Sequence, residues 1–80
     1  MTLGEMIIEI AMKMGWRLTA DLILVKDIIG NNEVSIDPLE AVGALRAMCS
    51  GCQKWVVPMH IENFLLSVEG TAVLWLMEDE

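Results

Sequence analysis

The chain has 80 residues, enough for one hydrophobic core, so we expect a single domain over residues 1–80. Twelve acidic and five basic side chains give a net charge of −7, and this charge repels phosphates, so direct binding to DNA or RNA is not expected. Apolar runs all fall short of the roughly 18 residues that a membrane-spanning helix needs, and MTLGEMIIEI lacks a basic secretory leader, so the sequence favours a cytoplasmic protein without a membrane segment.

The hydrophobic content of the chain predicts association with another protein. Hydrophobic residues are 55% of the chain, and its six glycines raise the share further. An average soluble domain reaches roughly 45–50% on a count that includes glycine. Because a small domain cannot bury this excess, part of it must lie on the surface, where apolar patches mark interfaces. We therefore expect a homodimer or another protein complex.

The first predicted element is a helix over residues 3–17. Charged side chains recur there at every fourth position, at Glu5, Glu9, Lys13 and Arg17. This spacing forms one narrow stripe on a helix, and it includes a favourable i, i+4 pair between Glu9 and Lys13. Nearly all other positions are apolar, so the helix is expected to be covered on two sides, by its own domain and by a second copy or partner.

A second helix is predicted over residues 20–29. Thr19 is a candidate N-cap, and the following Gly30-Asn31-Asn32 is typical of a helix stop and a turn. A short strand is the alternative, because periodicity does not distinguish the two for a brief apolar run such as residues 22–25.

A third helix is predicted from residue 38 to about residue 48. Asp37 precedes Pro38 as an N-cap, and Glu40 stands at the position that completes a capping box. The face expected to be buried consists of Leu39, Val42, Leu45 and Met48.

The C-terminal part of the chain is predicted to start a further helix at Pro58 and to end it at Gly70. Residues 71–77 are compatible with a last helix or with a strand. The fold class expected from these elements is all-α, an irregular bundle of four to five short helices.

The cysteines in MCSGCQKW are candidates for metal binding. Cys49 and Cys52 have the spacing of half a zinc site, and His60 could add a third ligand, with Glu62 or a water as the fourth. Two such cysteine pairs across a dimer would make another zinc site. Redox chemistry, free thiols and a disulfide are the other interpretations, although redox catalysis favours a CxxC at a helix N-terminus and this pair follows a predicted C-terminus.

Several acidic and aromatic side chains are candidates for contact with a protein partner. The acidic residues would meet a partner with a basic surface, and the tryptophans would act as interface anchors. The candidates are Glu33, Asp37, Glu78, Asp79, Glu80, Trp16 and Trp75.

Motifs for catalysis are missing from the sequence. It has no Gly-rich phosphate loop, nucleophile motif or paired-histidine motif, so neither enzymatic activity nor a cofactor is expected. The sequence favours a small acidic regulator or inhibitor of a basic nucleic-acid-binding protein. Phages and mobile elements encode inhibitors of this kind, including anti-CRISPR-like proteins. The alternatives are a metal-binding or redox-responsive module that uses Cys49, Cys52 and His60, and an obligate subunit of a larger assembly.

Overall fold

The computed structural model describes residues 1–49 and 58–78. In this part of the chain, one helix is followed by a three-stranded antiparallel sheet and then by two further helices. The protein is therefore an α+β fold, and the predicted all-α bundle of four to five helices is wrong. The prediction failed because the segment between the first and third predicted helices pairs as strands.

Helix α1 spans Leu3–Lys13 and has a complete capping box at its start. The hydroxyl of Thr2 accepts a hydrogen bond from the Glu5 backbone N–H, and the Glu5 carboxylate accepts one from the Thr2 backbone N–H. The predicted pair between Glu9 and Lys13 is confirmed at 3.5 Å. The helix ends four residues earlier than predicted, because Gly15 has a φ of +98°, a conformation that favours glycine.

The sheet consists of β1 (Arg17–Leu18), β2 (Leu24–Asp27) and β3 (Glu33–Ile36), with β2 in the centre. The predicted helix over residues 20–29 is therefore wrong. A tight turn follows Thr19, whose backbone N–H donates to the carbonyl of Ile23. Leu22 in that turn has a φ of +64°, which a right-handed helix does not allow. The strand alternative is the one observed, because β2 buries Leu24 and Val25 while it pairs with both neighbours.

Helix α2 spans Pro38–Cys49, close to its predicted range. The Asp37 carboxylate accepts a hydrogen bond from the Leu39 backbone N–H at 2.9 Å, which confirms the predicted N-cap. Burial of Leu45 is confirmed, but the buried face otherwise differs from the prediction, because Ala41 is buried whereas Leu39 and Met48 are exposed. Packing against α1 selects the face that contains the small residue Ala41, since a small side chain lets two helices approach closely.

Helix α3 spans Pro58–Glu78 without interruption. The predicted stop at Gly70 and the strand alternative for residues 71–77 are both wrong. Gly70 lies inside the helix, and a series of four apolar side chains at helical spacing begins before it and ends after it, at Ala72. We call them the inner face of α3: Ile61, Leu65, Val68 and Ala72. The inner face packs on the core, and this contact favours the helix over a break at Gly70.

The core lies where α1 meets α2, α3 and β1. Its fully buried members come from all three helices and from β2, and the largest are Ile7, Leu24, Leu45, Ile61 and Leu65. Elements of the same chain thus contact α1 on several sides. None of the described helices is both long enough and apolar enough to span a membrane.

Candidate functional site

The C-terminal half of α3 and the turn between β2 and β3 enclose an open groove of about 400 Å³, which we call the α3 groove. Apolar side chains dominate its lining, and Asn32 and Glu33 stand on the turn side. The apolar members are Ile28, Val68, Ala72, Trp75 and Leu76. Trp75 is 70% exposed, so this wall of the groove offers a large aromatic surface to a partner.

Hydrogen bonds within the β2–β3 turn hold the other wall of the groove. The Ile28 backbone N–H donates to the carbonyl of Asn32 at 2.9 Å, and the Asn32 side-chain amide donates to the carbonyl of Ile29 at 2.9 Å. Gly30 has a φ of +67°, which the tight turn requires and glycine adopts without strain. The turn thereby places Asn32 and Glu33 beside α3.

One guanidinium neutralises part of the acidic charge at this wall. Asp27 and Glu33 are directly opposite each other on β2 and β3, where two like charges destabilise a sheet. Arg17 of β1 donates to Glu33 Oε2 at 2.7 Å and to Asp27 Oδ1 at 3.2 Å. The hydrogen bond to Glu33, followed by the negative charge of Asp27, raises the pKa of Arg17. Two carboxylates thus share one positive charge, and this wall retains a net negative charge.

A third carboxylate lies near the opposite wall. Glu78 is the last residue of α3, one helical turn beyond Trp75, and it is exposed. The exposed tryptophan therefore has an acidic side chain on its own helix and another, Glu33, across the groove.

The structure brings together part of the predicted partner-binding set. Trp75 and Glu33 line the same groove, and Glu78 follows one turn along α3. Asp79 and Glu80 lie outside the described residues.

Two further members of that set have roles within the fold. Trp16 is 3% exposed and belongs to the core, so it is not part of the surface of the protomer. The Asp37 carboxylate caps α2 through the Leu39 N–H. Binding by any residue of the predicted set stays a prediction.

The predicted metal site falls largely outside the part of the chain that the structure describes. Cys49 is the last residue of α2, but its side chain and the whole of Cys52 lie outside the described residues. His60 is in the first turn of α3, and Glu62 is exposed on the same helix. Within residues 1–48 and 58–78, no three side chains of the types His, Cys, Asp and Glu are grouped to hold a metal ion.

The apolar floor of the groove was missed from the sequence. Val68 belongs to the helix face predicted with Ile61 and Leu65, but Ala72, which continues the same spacing, lies beyond the predicted stop at Gly70. Ile28 was assigned to a helix, so its position beside a hairpin turn was not expected.

No family model, curated protein or solved structure matches the chain. The function is therefore inferred from the shape of the α3 groove and from the charges around it.

Proposed function

We propose that this protein is a non-catalytic regulator or inhibitor that binds a basic partner protein through the α3 groove. The observation that supports this proposal is the exposed Trp75 beside an apolar floor, with carboxylates on both sides of the groove. Such a surface combines an aromatic anchor with an electrostatic preference for one class of partner.

The apolar part of the groove supplies affinity. Trp75 exposes most of its side chain, and a partner side chain placed between it and Ile28 would remove apolar surface of both walls from water. Tryptophan is enriched among the residues that dominate binding energy, because one rigid ring buries a large area. We therefore assign the anchoring role to Trp75.

The acidic part of the groove supplies selectivity. Lysine or arginine side chains of a partner would pair with Glu33, with Asp27 or with Glu78, and a cation over the Trp75 ring would gain a further attraction. An acidic or neutral partner lacks these contacts. Because these carboxylates are exposed, salt would weaken the complex.

The partner class that fits best is a nucleic-acid-binding protein. Its basic groove is built for phosphates, and an acidic domain of net charge −7 that occupies it would compete with nucleic acid. In its most specific form, the proposal is an inhibitor such as phages or mobile elements encode against host nucleic-acid machinery, including anti-CRISPR-like inhibitors.

A pair of synthetic amphipathic peptides tests the groove directly. Both peptides carry the same leucines, and the remaining positions are lysine in one and glutamate in the other. In a titration followed by amide NMR, we expect the lysine peptide to shift the resonances of Ile28, Asn32 and Ala72 and the glutamate peptide to bind much more weakly. Equal binding of the two peptides would contradict the proposal.

Matched variants distinguish binding in the groove from nonspecific binding elsewhere on the surface. We expect Trp75→Ala to weaken binding of the lysine peptide by about tenfold or more, because it removes the anchor. Leu39→Ala is the control, since Leu39 is 79% exposed on α2, outside the residues that line the groove. Arg17→Gln should strengthen binding, because it leaves both carboxylates of the turn without their cation. Unchanged binding by Trp75→Ala would overturn the assignment.

The inhibitory role needs a test on the natural partner. A photo-crosslinking amino acid in place of Thr71, an exposed residue that also lines the groove, leaves Trp75 intact and identifies proteins that contact the groove, with the same group at position 39 as the control. Recovery at position 71 of a basic protein whose nucleic-acid binding is blocked by this domain is the expected result. A partner that retains its nucleic acid in the complex would contradict inhibition by competition.

A further inference from the structure

Helix α3 has a second apolar face that the described residues of its own domain do not cover. The residues of this outer face are Leu66, Gly70, Val73, Leu74 and Met77. At about 100° per residue, they lie on the side of the helix opposite to the inner face. Leu66 is 55% exposed, Leu74 is 59% exposed and Met77 is 63% exposed. Three large apolar side chains are thus in contact with water along this side of the helix.

The glycine at the middle of the outer face packs against none of the described residues of other elements. Gly70 is exposed and helical, and a Cβ at this position would meet no atom of the described residues within 4 Å. Glycine inside a helix is less stable than alanine, so its presence calls for a physical reason. Close approach of another backbone is such a reason, since the missing side chain leaves a depression between Leu66 and Leu74.

We infer that a second copy of this chain docks on the outer face, with the two α3 helices antiparallel and crossing at Gly70. Leu66 and Leu74 are each four positions away from Gly70. A two-fold axis beside Gly70 therefore places Leu66 of one copy at the level of Leu74 of the other, twice in the same interface. Under this rotation the two leucines match each other across Gly70, as positions in an interface between two identical subunits must.

The distribution of charged side chains favours a second copy over a basic partner as the occupant of the outer face. From Leu66 to Met77 the only charged side chain is Glu69, whose carboxylate is 3.1 Å from Lys26 Nζ. Two copies of net charge −7 repel each other, and they can approach most easily where both surfaces lack unpaired charge. A basic partner is drawn to the carboxylates of the α3 groove instead.

The dimer leaves both grooves available, because the groove and the outer face use different sides of α3. A target with two basic sites would then bind both protomers at once and gain avidity. The dimer does not rest on the proposed function, since its evidence is the outer face alone.

Two glycine variants test the inference by sedimentation equilibrium of the full chain. We expect Gly70→Ala to raise the dimer dissociation constant by about tenfold, because the methyl groups separate the helices at their crossing. Gly43→Ala is the matched control, since Gly43 is an exposed helical glycine in α2 whose added Cβ would also meet nothing within 4 Å. The control should leave the dissociation constant unchanged. A monomeric parent, or equal dissociation constants for the two variants, would overturn the inference.

A charge swap tests the antiparallel register. Leu66→Glu should dissociate the dimer, because it places an unpaired carboxylate in the interface of each copy. The double variant Leu66→Glu with Leu74→Lys should recover association, since the antiparallel arrangement pairs each glutamate with a lysine of the other copy. Parallel helices would bring like charges together, so a monomeric double variant overturns the register. Both positions are exposed, and circular dichroism verifies that each variant stays folded.

Discussion

Lys26 of β2 and Glu69 of α3 form an ion pair across 43 positions of sequence, with 3.1 Å between Lys26 Nζ and Glu69 Oε2. The same ammonium donates to the carbonyl of Met14 at 3.1 Å, just beyond the end of α1. Both charged side chains are about three-quarters buried. A single side chain thus joins the central strand, the first helix and the helix that carries the α3 groove.

Loss of this ammonium should destabilise the fold. We expect Lys26→Met to lower the free energy of unfolding by about 1–3 kcal/mol, because the partly buried carboxylate of Glu69 and the carbonyl of Met14 lose a charged donor. Lys13→Met is the matched control, since its pair with Glu9 is largely exposed and should contribute about 0.5 kcal/mol or less. Urea unfolding measures both, and equal losses would contradict a special role for Lys26.

The two described tryptophans should respond differently to truncation. Trp16→Ala is expected to cost about 3–5 kcal/mol, because it empties a buried site, whereas Trp75→Ala should change stability by about 0.5 kcal/mol or less. Trp16→Phe should retain more stability than Trp16→Ala, because phenylalanine leaves a smaller cavity and the buried Trp16 Nε1 has no hydrogen-bond partner to lose among the described residues. Thermal unfolding ranks the stabilities of these variants, and a Trp16→Ala protein as stable as the parent would contradict the core assignment.

Relief of backbone strain should stabilise the β1–β2 turn. Leu22 has a φ of +64° and is largely exposed, so its side chain adds strain while it buries little surface. We expect Leu22→Gly to raise the free energy of unfolding by about 0.5–1 kcal/mol. Ile29→Gly, at an exposed position of the next turn without a positive φ, should lower it instead. Two shifts of the same sign in chemical unfolding would argue against strain at Leu22.

The capping box of α1 should make stability depend on pH in the acid range. Hydrogen bonds from the backbone and the hydroxyl of Thr2 lower the pKa of Glu5 below its ordinary value of 4.5. The unfolded chain therefore binds the proton more readily than the folded chain. The contribution of Glu5 to the free energy of unfolding is complete at pH values above its ordinary pKa, and it disappears as the pH falls through the pKa of the folded state. Glu5→Gln should lose this part of the pH dependence.

An NMR titration of the Glu5 carboxyl checks the cause of this shift. We expect Thr2→Ala to return the pKa of Glu5 towards its ordinary value, because the hydroxyl donor is lost and the capping geometry weakens. A pKa that is unchanged in Thr2→Ala would show that the hydroxyl of Thr2 contributes little.

Two of the side chains that line the α3 groove, those of Glu33 and Trp75, could be expected from the sequence, as could the nearby Glu78. Trp75, Glu33 and Glu78 were predicted partner contacts because residue type and charge are visible in the sequence. Their neighbours Ile28 and Val68 were not, since the groove exists only where a hairpin turn approaches a helix some 40 positions further along the chain. Contacts at such separations leave no local periodicity to detect.

Features that depend on neighbouring residues were determined by the sequence itself. The N-cap at Asp37 and the pair between Glu9 and Lys13 each join groups at most four positions apart, so the same contacts form wherever these helices are placed. The start of α3 at Pro58 belongs to the same class, because proline favours the first turn of a helix.

Tertiary contacts decided the remaining features. Residues 24–27 form a strand because pairing on both edges satisfies their backbone groups, and Leu39 is exposed because α1 contacts another face of α2. Helix α3 continues through Gly70 because packing of the inner face on the core stabilises the helix by more free energy than the glycine costs it. Local preferences of about 1 kcal/mol per residue are smaller than the free energy of burying several apolar side chains, so packing prevails where the two disagree.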